Sequence, residues 1–113
     1  MPSPIITDYQ AELASLEAIQ DHVFVIGATE PAKNLDRLQI IASYAEENAK
    51  KFAEKYPDLS AIAAYIGYNA FRLLEAYDNK ITEGTARALI KRRNAMWLVV
   101  KQHDEASKSR QQA

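Results

Sequence analysis

Residues 60–78, SAIAAYIGYNAFRLLEAYD, place Ile62, Ile66, Ala70, Leu73 and Tyr77 at i, i+4, i+8, i+11 and i+15. Apolar residues at that spacing line one face of an α-helix, whereas a half-buried strand would alternate every second residue. Nothing in the stretch breaks the period. The reading predicts a helix over about 60–78, capped by Asp58 or Ser60. Ala63 and Gly67, four residues apart within it, would let another backbone come close.

Working back from this helix, Pro57 closes a preceding segment in which Leu35, Leu38, Ile41, Ala42, Ala45, Ala49, Phe52 and Tyr56 repeat on one face. Proline disfavours a helical conformation in the residue before it, so this second helix should end near 56. Its start is open between Thr29, with Pro31 in the first turn, and Asn34. The first helix is predicted from Thr7 or Asp8 to about 26, with the stripe Tyr9, Leu13, Leu16, Ile19 and Val23 and with Gly27 as a left-handed stop. Val23-Phe24-Val25-Ile26 would suit a short strand, but no partner strand exists elsewhere in the chain. Working forward, Asp78-Asn79-Lys80 makes a turn and Thr82 caps a fourth helix over about 83–103, with Ala86, Leu89, Ile90, Met96, Trp97 and Val100 inside. Short connections favour antiparallel neighbours. The fold class expected is therefore all-α, an antiparallel up-down-up-down four-helix bundle with helices at about 8–26, 30–56, 60–78 and 83–103. Residues 1–103 would form one domain and 104–113 a flexible C-terminal tail.

Composition agrees with this reading. The 113 residues are 48% hydrophobic, include nineteen alanines, and carry only three glycines and four prolines. That is enough apolar material for one core and a strong bias to helix. Without cysteine there can be no disulfide, thiolate metal site or cysteine nucleophile. No run approaches the roughly 18 apolar residues of a membrane span, and the N-terminus has no signal-like pattern, so a cytoplasmic protein is expected.

The net charge of −1 hides a gradient: residues 1–32 hold five acids and no Lys or Arg, and residues 80–113 hold eight bases against three acids. Such asymmetry suits either two neighbouring helices or an anionic partner. Arg93 falls inside the fourth apolar stripe and needs a carboxylate, because an unpaired buried guanidinium is costly. Glu12, inside the first stripe, is the expected partner, which would make the first and last helices neighbours. The alternative is that Arg93 reaches the bundle edge near Glu17 or Asp21.

Two groups of residues fall outside the core pattern. Ile40 and Tyr44 on the second helix, with Tyr65, Tyr68 and Phe71 on the third, form a second apolar face. Clustered exposed aromatics are a partner-binding composition. The expected function is a small non-enzymatic protein-interaction module, an adaptor, inhibitor or assembly factor, that binds a protein partner or itself through that face. The alternative is burial of the third helix on two sides within one chain.

A second function class, a DNA-binding regulator, rests on residues 59–78. Ala63, Gly67 and the flanking apolar positions resemble a helix-turn-helix, although the apolar stripe runs through Gly67 without a change of phase. Asn69, Arg72, Arg87, Lys91 and Arg92 would be its nucleic-acid contacts. Residues 80–90, KITEGTARALI, resemble the segment after the helix-turn-helix of ParB-like partition proteins, with Thr85 in place of the usual histidine. The likeness covers about a tenth of the chain, and no function is carried over on it. His22 and His103 lack metal-ligand spacing, and no phosphate loop or nucleophile elbow occurs. No catalytic residue, metal or cofactor is therefore expected.

Overall fold

The computed structural model describes residues 8–112. Four α-helices follow in order: α1 (Asp8–Ala28), α2 (Leu35–Lys51), α3 (Pro57–Tyr77) and α4 (Glu83–Gln112), with a single 3-10 turn, Pro31–Lys33, ahead of α2. No strand occurs among the described residues, and the helices pack as an antiparallel four-helix bundle. Residues 60–77 thus lie within one unbroken helix, with Asp78 as its C-terminal cap.

The centre of the bundle is α3, which packs on α2, α4 and α1. Its composition explains the position. Leu59, Ser60, Ala63, Ala64, Ile66, Gly67, Ala70, Phe71 and Leu74 are all buried, so its apolar surface extends well beyond one stripe. A helix buried on several sides must also be thin enough for its neighbours to approach. At Gly67 a Cβ would lie 3.2 Å from the Ala45 Cβ of α2 and 3.2 Å from both Cγ and Sδ of Met96 on α4. Both neighbours use that space.

The ends of the helices differ from the sequence reading in instructive ways. Gly27 has no left-handed backbone and lies inside α1, against the Leu73 side chain; Thr29 closes the helix instead, its hydroxyl donating to the Val25 carbonyl at 2.7 Å. The segment predicted as one helix over 30–56 is shortened at both ends, because Pro31 starts only a 3-10 turn and the chain from Phe52 to Tyr56 turns toward α3. Ser60 does not cap α3. Its hydroxyl donates to the Ala49 carbonyl at 2.6 Å, tying the start of α3 to the last turns of α2, while Pro57 takes the first helical position. Thr82 does cap α4, its Oγ1 accepting from the Thr85 amide at 3.2 Å. The helix then continues past 103 to Gln112, nine residues into the segment expected as a tail. The Thr7 cap lies outside the described residues.

The expected pairing of α1 with α4 is not observed. The first helix lies on α3, with Leu16, Val23 and Ile26 buried, and its side chains reach α2: Glu12 meets Lys51 at 3.8 Å and His22 meets Arg37 at 3.3 Å. The fourth helix lies on another side of α3. Arg93 pairs with Glu75 of α3 at 2.8 Å and not with Glu12, Glu17 or Asp21, and Arg92 pairs with Glu46 of α2 (Nε to Oε2 3.0 Å) while covering the Phe71 ring at 4.7 Å. The reason is steric. With α3 in the middle, α1 and α4 are held apart, and each charge takes the nearest carboxylate.

The tight contact at Gly67 predicts that Gly67→Leu lowers the unfolding free energy by about 1–3 kcal/mol, as overpacked cores do. Gly84, with nothing within 4 Å of a Cβ placed there, should instead gain up to about 1 kcal/mol as Gly84→Ala. Urea midpoints of the two variants against the parent chain check both signs.

Candidate interaction face

Because α1, α2 and α4 occupy only part of the circumference of α3, one strip of α3 stays uncovered between α1 and α4. At about 100° per residue, Tyr65, Asn69, Arg72 and Ala76 fall on this strip at i, i+4, i+7 and i+11. Tyr65, Arg72 and Ala76 are exposed and Asn69 is half-buried. The strip joins α1 across a groove of about 690 Å³, to which α1 contributes Gln20, Val23 and Phe24 and α3 contributes Tyr65, Asn69 and Arg72. Phe24 is 76% exposed and Tyr65 43%.

On the other flank stands α4. Trp97, 41% exposed, stacks on Tyr68 with ring centroids 4.8 Å apart, and Arg72 lies over the outer side of the same tyrosine at 5.6 Å. Ile90 lies seven residues before Trp97, on the same side of α4, and is also exposed. Both were expected inside; of the inner face predicted for this helix only Leu89, Met96 and Val100 are buried. Phe24 and Tyr65 thus line the groove between α1 and α3, while Trp97, stacked on Tyr68, and Ile90 stand exposed on α4.

The five residues predicted as partner anchors do not form one face. Phe71 is 0% exposed and belongs to the core, where it fills the space between α3 and α4 under Arg92. Tyr68 is half-buried beneath Trp97. Ile40 and Tyr44 lie with Asp36 and Glu47 along a shallow depression on the outer side of α2, away from Tyr65. Tyr65 alone of the five lies in the groove. Phe24 and Trp97 were missed for opposite reasons. Phe24 sits in a run of four apolar residues that fits either strand or helix, and Trp97 falls within the inner face that the spacing predicts for α4.

The nucleic-acid contacts are likewise dispersed. Helix α3 is continuous through Gly67, so residues 59–78 contain no helix-turn-helix. Arg92 is bound to Glu46 and Arg87 to Glu83, while Arg72 on α3 and Lys91 on α4 are exposed and Asn69 is half-buried. Burial and hydrogen bonding act on Arg92 together: the bond to Glu46 raises its pKa and outweighs the lowering by desolvation.

No three or more His, Cys, Asp or Glu side chains gather to hold a metal ion among the described residues, and no helix there is long and apolar enough to cross a membrane. The chain matches no protein-family model, curated protein or solved structure.

Near the start of α1, the Tyr9 hydroxyl donates to Asp58 Oδ2, and its ring meets Tyr56 edge-on at 5.3 Å. The hydrogen bond to Asp58 holds the Tyr9 phenol above its ordinary pKa of 10.0, with desolvation and the charges of Asp58 and Glu17 acting the same way. A folded-state pKa raised in this way stabilises the protein while the phenol is protonated. The contribution is complete below the unfolded value and is lost as pH rises through the folded one. The stability difference between the parent chain and Tyr9→Phe should therefore hold steady near about pH 8 and shrink toward about pH 11, as denaturant midpoints across that range would reveal.

A double-mutant cycle separates the observed ion pair from the one read from sequence. Glu75→Ala and Arg93→Ala should couple by about 0.5–2 kcal/mol, the range for contacting half-buried charges, and Glu12→Ala and Arg93→Ala by less than about 0.5 kcal/mol.

Proposed function

We propose that the chain is a small, non-enzymatic protein-interaction module that docks another helical surface against the α1–α3–α4 face. The observation carrying this reading is the groove between α1 and α3 in which the exposed Phe24 and Tyr65 rings stand together. Aromatic rings supply large contact areas at small entropic cost and are the side chains that anchor protein interfaces. Isolated exposed apolar residues are ordinary on any surface. Here the Phe24 and Tyr65 rings, from two different helices, line one concave site, with Gln20, Asn69 and Arg72 supplying polar groups among them, while the exposed Trp97 of α4 stacks on Tyr68, three residues along α3 from Tyr65.

The reading moves the interaction face from helices 2 and 3 to α1, α3 and α4. Phe71 cannot serve as an anchor while it fills the core, and Ile40 and Tyr44 belong to a separate surface.

A photo-crosslinking residue in place of Tyr65 should give a discrete protein adduct in cells. The same residue in place of Glu54, which is exposed in the turn after α2, should not. Adding Phe24→Asp should abolish the position-65 adduct without altering the circular dichroism spectrum. Equal yields from positions 65 and 54, or no adduct at 65, would remove this reading.

A further inference from the structure

We draw no further inference here: the strongest candidate, the groove between α1 and α3 lined by Phe24, Tyr65, Asn69 and Arg72, is bordered by charges of both signs, and nothing in the structure shows what covers it.

Discussion

At Gly67 two helices press on a third from different directions, with Ala45 and Met96 each 3.2 Å from where a Cβ would be. Everything else in the arrangement follows from this contact. Because α2 and α4 both approach at the same turn, α3 becomes the common wall of the bundle, and its small residues Ala63, Ala64 and Ala70 are buried along with the larger Phe71 and Leu74. Close approach of backbones increases the dispersion contacts that each neighbouring side chain makes. A longer side chain at position 67 would separate α2 from α4 and expose the Phe71 ring that they enclose with α3.

The same constraint explains the electrostatics. A chain whose first third is acidic and last third basic would be expected to fold those thirds together, and a bundle closed by α1 against α4 would do so. Here the third helix intervenes. Arg92 and Arg93 are satisfied by Glu46 and Glu75, which come from α2 and α3, and Glu12 is satisfied by Lys51. The charge gradient along the chain thus becomes a charge gradient across the molecular surface.

How much of this was legible in the sequence depends on what kind of information each feature required. Helix existence was legible because the 3.6-residue period is a local property: Leu38, Ile41, Ala42, Ala45 and Ala49 are buried as their spacing predicts. The Thr82 cap was legible for the same reason. Which helix occupies the centre was not, since Phe71 and Tyr68 look equally displaced from the stripe, yet the first is wholly buried and the second half-covered by a ring from α4. The partner of Arg93 was chosen by net charge along the chain, a long-range argument, whereas Glu75 wins by being within 2.8 Å. Phe24 and Trp97 were missed because a wheel drawn for one helix cannot say where the neighbouring helix stops. Of the outer face read from the sequence, Ile40 and Tyr65 are exposed and Phe71 is buried, and further exposed apolar side chains stand on α1 and α4.

Surplus apolar surface on a small helical chain has two physical outcomes. If the surplus were patterned without regard to charge, copies could meet in many registers, and a patch that fits a different patch on the next copy propagates without closing. If the surplus is bordered by opposite charges on opposite flanks, most registers bring like charges together and are disfavoured. On this chain the border on α4 is mixed, because Asp104 lies on the same side as Trp97 and one turn from Lys101. Glu17 and Asp21 stand exposed on the Phe24 side of α1, and Lys101 and Asp104 stand exposed on the Trp97 side of α4, so acidic groups border both flanks. The positions that break the simple helical pattern, an apolar Phe24 off its stripe and a half-exposed Trp97, are both surface residues, one on each flank.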